Sequence, residues 1–84
     1  MKVNFANIKI KDIEGNEQIA DFQKQIGNQL YMTGQNIEEC ELGKRIYFAE
    51  GEVELTADEC TIVRRVTAGY SYVARIAIDA AMKQ

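Results

Sequence analysis

The residues able to do chemistry in this chain are few, and what is missing narrows them further. The 84 residues contain no histidine. A Ser-His or Cys-His nucleophile arrangement therefore cannot be built. Acid–base work would have to come from paired carboxylates, and the candidates are Glu50, Glu52 and Glu54. At every second position of a strand they would share one face, where three carboxylates could also hold a hard cation. The plainer reading is a charged strand edge that resists aggregation, and it is favoured. Cys40 and Cys60 lie twenty residues apart. Two thiols without histidine make a poor zinc site, since zinc takes four N or S ligands. They read best as small, half-buried apolar residues, reduced as in a cytosolic chain. Gly15, Gly27, Gly34, Gly43 and Gly51 have neither the spacing nor the Lys-Ser/Thr follower of a phosphate loop. No enzyme, cofactor or metal is expected from these residues.

What remains is a surface. Arg64, Arg65, Tyr72 and Arg75 fall on one side of a helix, and arginine and tyrosine are residue types that anchor interfaces. Tyr72 and Arg75 are one turn apart, close enough for ring and guanidinium to stack. The same residues also suit an ordinary solvated face, with Arg75 paired to Asp79 four residues on. Charge is unevenly placed: 35–59 hold eight acids against Lys44 and Arg45, whereas 60–84 hold Arg64, Arg65, Arg75 and Lys83 against Asp79 alone. That polarity can be satisfied inside the fold or between copies. A formal net charge of −3 argues against bulk nucleic-acid binding, so a small nucleic-acid-associated regulator using the Arg64/Arg65/Arg75 face stands second to protein contact. No apolar run is long enough to cross a bilayer, and the opening residues show no apolar leader, so the cytoplasm is the expected location.

The elements that must carry this surface follow from local signals. The length suits a single domain, 1–84, and the pattern predicts an α+β fold. Residues 2–11 read as a strand whose apolar parity switches between Phe5 and Ile8, which predicts a bulge or bend near Ala6-Asn7. A turn with Gly15-Asn16 at its tip leads to a returning strand at 17–20. Asp21 is a possible N-cap for a helix with Phe22, Ile26 and Leu30 on one stripe and Gln23, Gln25, Asn28 and Gln29 facing water. Gly34 suits the left-handed position that ends a helix. Asn36 and Glu39 form a capping-box pattern for a second helix over 37–50. A rival hairpin would pair Phe48 with Val53 and Ile46 with Leu55. A short strand at 52–55 could join the N-terminal hairpin.

The strongest start signal is Thr56 with Glu59, a second capping box. Beyond it, Ile62, Val63, Val66, Gly69, Tyr70, Val73, Ala74, Ile76, Ala77, Ala80 and Ala81 share one side of a helical wheel. Cys60 and Ile78 sit at the boundary. The phase persists across Thr67-Ala68-Gly69, which predicts one continuous helix with Gly69 on the buried side. Such a helix would be about 40 Å long, against a domain roughly 30 Å across. Either it kinks near Gly69 or its apolar far end is covered by another chain, an argument for a homo-oligomer.

Two segments carry a resemblance. Asn7 to Asn16, and Arg45-Ile46-Tyr47 with Gly51 to Thr56, resemble small uncharacterised proteins carried by prophages and mobile elements of gut bacteria. The resemblance implies a genomic setting of accessory phage or host-interaction functions and no particular activity.

Overall fold

The structure is a computed structural model in which residues 1–83 are described; Gln84 lies outside them. The chain is a small α+β fold with eight elements. They are β1 (Lys2–Val3), β2 (Ile8–Lys11), β3 (Glu17–Ala20), α1 (Gln23–Thr33), α2 (Ile37–Tyr47), β4 (Val53–Glu54), α3 (Ala57–Val66) and α4 (Tyr72–Ala81).

The N-terminal strand is not one bulged strand. A tight turn divides it, with the Asn7 N–H on the Asn4 carbonyl at 3.1 Å and the Ala6 N–H on Asn4 Oδ1 at 3.0 Å. The parity switch marks a change of sheet. β1 pairs antiparallel with β4, matching Val3 with Val53, while β2 pairs antiparallel with β3, matching Ile8 with Ala20. The short strand near 52–55 therefore exists, but it does not extend the β2–β3 hairpin. That hairpin turns as expected: Asp12 Oδ1 accepts the N–H groups of Glu14 and Asn16, and Gly15 takes the left-handed φ of 85°.

Helix α1 begins at Gln23 with Phe22 at the cap position and no side-chain cap. Asp21 still accepts an early N–H, from Gln23 at 2.9 Å. At its other end, Gly34 is not left-handed but extended, with φ −59° and ψ 138°. Small size is what that position needs, because a Cβ there would stand 2.8 Å from the Leu30 carbonyl oxygen. Helix α2 forms instead of the rival hairpin. Asn36 Oδ1 accepts the Glu39 N–H at 2.9 Å, and Glu38 and Glu39 open the helix while Lys44 and Arg45 close it, as the dipole favours.

The closest packing in the fold joins α1 and α2. At Gly43 an added Cβ would stand 2.7 Å from the Gly27 carbonyl oxygen and 2.8 Å from the Tyr31 nitrogen. At Gly27 it would stand 2.8 Å from the Gly43 carbonyl oxygen and from the Tyr47 nitrogen. Backbone lies directly against backbone, and only glycine at both positions permits it. Beneath this crossing one apolar cluster gathers Val3, Phe5, Ile8, Ile26, Leu30, Leu42, Ile46, Leu55, Val63, Ile78 and Met82.

The predicted long C-terminal helix is not formed. The chain breaks after Val66 and restarts at Tyr72, with Ser71 Oγ accepting the Ala74 N–H at 3.3 Å. The predicted helix of about 40 Å is replaced by two helices of 10 residues each, and the radius of gyration, 12.2 Å, is close to the value of about 12 Å expected for this length. The break also resets the wheel. Ile78, placed at the boundary by the continuous phase, is buried, whereas Val73 and Ile76, placed inside, are exposed. Gly69 is exposed and a Cβ there would meet nothing within 4 Å.

These contrasts set a stability test. Gly43→Ala gains helix propensity of about 1 kcal/mol but overpacks against backbone that cannot rotate away, a cost of about 1–3 kcal/mol. The net loss of up to about 2 kcal/mol should lower Tm by up to roughly 10 °C in thermal unfolding. Gly69→Ala, with open space and no positive φ, should leave Tm unchanged or slightly raised.

Candidate functional site

The four surface residues singled out by type and spacing do not stay together. Arg65, at the end of α3, turns towards α2 and grips Glu39 with both guanidinium nitrogens, at 2.5 and 3.1 Å. Glu39 also accepts the Gln35 N–H at 3.0 Å, so its carboxylate is fully engaged although almost buried. This is the forked charge-assisted geometry that makes Arg–carboxylate pairs strong. It also explains why the Asn36–Glu39 capping box is only half made: the carboxylate reaches Gln35 and Arg65 rather than the Asn36 N–H. The Arg65 hydrogen bonds, then the Gln35 N–H, hold the Glu39 carboxyl below the ordinary glutamate value.

Arg64, Tyr72 and Arg75 do come together. They line a groove of about 300 Å³ where the end of α3 meets α4. The buried residues Ile78 and Met82 lie at its floor, and Ile76 and Ala68 add apolar wall. Arg64 Nε donates to Asp79 Oδ1 at 2.6 Å, and Lys83 approaches the other carboxylate oxygen at 3.3 Å. Asp79 is thus taken by Arg64 of α3 and by Lys83 just past the end of α4, and the Arg75–Asp79 pair expected from helical spacing is not made. Arg64 in particular holds the Asp79 carboxyl below its usual range. Among the described residues no carboxylate lies within ion-pair distance of Arg75. Its guanidinium instead sits 5.8 Å from the centre of the Tyr72 ring, within cation–π reach. Tyr72, Val73 and Ile76 are the exposed large apolar residues beside it.

Elsewhere, Glu54 is the only one of Glu50, Glu52 and Glu54 that lies on a strand, so the three do not form a strand-borne triad. Among the described residues no group of three or more Cys, Asp or Glu side chains is placed to hold a metal ion. Both cysteines are free; Cys60 is buried and Cys40 half-buried.

The break that makes the groove depends on residues that periodicity sends to solvent. Gln29 of α1 donates its amide to the Val66 carbonyl at 2.7 Å, closing the end of α3. Its amide oxygen accepts the Tyr70 hydroxyl at 2.9 Å, and the Tyr70 ring packs on Phe22 with centroids 5.9 Å apart. Gln23 does the same for α2, donating to the carbonyls of Ile46, Tyr47 and Ala49 at 2.7–3.1 Å. Nothing in the sequence distinguishes these two glutamines from Gln25, which makes no such bond.

The Glu39–Arg65 clamp predicts a pH dependence. Glu39 has a depressed folded-state pKa, so its contribution is present above the unfolded value of about 4.3 and is lost as pH falls through the folded value. Glu39→Gln should lower Tm at pH 7. The gap between variant and wild type should narrow as thermal unfolding is repeated from pH 5 downwards.

No protein-family model matches the chain, and no curated protein or solved structure gives a significant match.

Proposed function

We propose that this protein is a non-catalytic interaction module that works by protein–protein contact and associates with itself. The observation that carries the reading is the outer face of α4. Tyr72, Val73 and Ile76 are all at least half exposed beside a guanidinium with no carboxylate partner among the described residues. An apolar, aromatic surface with an uncommitted arginine has the composition of an interface core rather than of a solvated face.

The nucleic-acid reading has less in its favour. Two of the three arginines it needs are held by carboxylates, Arg64 by Asp79 and Arg65 by Glu39. Only Arg75 remains to meet a phosphate, and phosphate contacts are what give such binding its strength. The cytoplasm remains the proposed location. Two free cysteines fit a reducing compartment, and no helix among the described residues is long and apolar enough to cross a membrane. A prophage or mobile-element setting belongs to the same proposal, on the resemblance of Asn7–Asn16 and Arg45–Thr56.

Light scattering over a range of concentrations tests the reading. The wild-type mass should rise above that of one chain, and Tyr72→Ala with Ile76→Ser should return it to one chain without lowering Tm. A strict monomer at every concentration would remove self-association.

A further inference from the structure

The α4 groove offers an apolar floor, an aromatic wall and one uncommitted cation. Its natural counterpart is an exposed aromatic ring flanked by uncommitted carboxylates, and this chain carries one. Phe48 follows α2 and is 72% exposed, with its ring meeting Tyr47 edge-on at 4.8 Å. It lines a shallow surface hollow together with Glu52. Glu50 and Glu52 flank Gly51, whose φ of 94° turns the chain at this corner. Neither glutamate has a cation within ion-pair distance among the described residues, whereas nearby Glu59 is already held by Arg45 at 2.9 Å.

We propose that the α4 groove receives the Phe48 corner of a second copy of this chain, a pairing that rests on the self-association reading above. Phe48 enters over Ile76, Ile78 and Met82, and Glu52 meets Arg75. Arg75 suits this role because a guanidinium can take a carboxylate with two parallel hydrogen bonds while still stacked on an aromatic face. A groove of about 300 Å³ lies at the small end of the range for ligand pockets, room for one aromatic anchor rather than an extended ligand.

The other acidic apolar patch fits less well. Ile37 is exposed beside Glu38, but neighbouring Glu41 is paired with Lys44, and the same lysine lies 5.6 Å from the Tyr31 ring centre. That leaves Glu38 as the one uncommitted carboxylate beside Ile37 among the described residues, against Glu50 and Glu52 at the Phe48 corner. The charge asymmetry read from the sequence points the same way. Among the described residues the acidic stretch finds partners inside the fold through Glu39, Glu41, Glu54 and Glu59; Glu38, Glu50, Glu52 and Asp58 are left over on one side and Arg75 on the other, and of these acids Glu50 and Glu52 stand beside the exposed Phe48 ring.

Groove and corner are different surfaces, so each copy carries one of each, and disabling one leaves the other intact. This gives a complementation test. Arg75→Glu disables the groove; Phe48→Ala with Glu52→Gln disables the corner. All three positions are exposed, and circular dichroism with thermal unfolding should show both variants folded as the wild type is. By light scattering, each variant alone should be a single chain where the wild type associates, with affinity weaker by roughly tenfold or more. An equimolar mixture should recover a species of two chains and nothing larger, because only one productive contact remains. Rising salt should weaken the wild-type and the mixed complexes alike.

A wild type that is monomeric at all concentrations overturns both the self-association reading and this pairing. A wild type that associates while both variants behave like it leaves self-association standing and overturns the pairing. So does a mixture of two monomeric variants that fails to recombine, since the two surfaces would then face different partners.

Discussion

The contact on which the rest of this structure depends is the meeting of Gly27 and Gly43. Two helices normally pack with side chains between them, at interaxial distances of about 8–10 Å. Here each glycine removes the side chain that would hold the backbones apart, and the Cβ that either lacks would stand under 3 Å from the carbonyl oxygen of the other. The close approach puts the length of α1 against α2. That brings the Gln23 amide within reach of the carbonyls of Ile46 and Tyr47 at the end of α2 and of Ala49 just past it. The far half of α1 presents Gln29 to the end of α3 in the same way. Helix α1, the weakest helix by local signal, thus becomes the one that ends two others.

Electrostatics then fix the outer elements. Glu39 on α2 and Arg65 on α3 tie the second and third helices together through a fork whose carboxylate is almost buried and whose guanidinium is exposed. Arg64 and Asp79 tie α3 to α4 across the break. A buried carboxylate without such a partner would be strongly destabilising. Among the described residues no buried side-chain nitrogen or oxygen lacks a hydrogen-bond partner. Once these pairs are made, little charge is left uncommitted near α4, and that remainder gives its outer face a direction of recognition.

Much of the local structure was legible. The Thr56–Glu59 capping box is made in both directions, with the Glu59 N–H on Thr56 Oγ1 and the Thr56 N–H on Glu59 Oε1. Burial raises the Glu59 pKa, but the Thr56 N–H and Arg45 outweigh it and keep the carboxyl below its usual range. The β2–β3 hairpin and the start of α2 were equally readable, since each rests on hydrogen bonds between residues a few positions apart. Of the candidate surface, Tyr72 and Arg75 were legible as a stacked pair because they sit one helical turn apart. That Arg65 would leave the group for Glu39 was not legible, because the two are distant in sequence and meet only through the α1–α2–α3 packing.

The sequence by itself determined where helices begin and which residues are apolar, for caps and periodicity act within one or two turns. It also determined that Thr67 to Ser71 would carry no local command to stop: there is no proline, and the apolar phase runs straight through. Only the tertiary structure decided that the helix ends there. The Gln29 amide on the Val66 carbonyl comes from α1, and Phe22, against which the Tyr70 ring packs, from the residue that precedes it, both some forty residues earlier. Ser71 then restarts the chain as α4, turning Ile78 into the core and Val73 and Ile76 towards solvent. A helix can continue through such a stretch at a local cost of only about 1 kcal/mol for Gly69, so its end is set by whichever long-range contacts satisfy its last carbonyls. That choice creates the groove, and no reading of the stretch alone would have placed it.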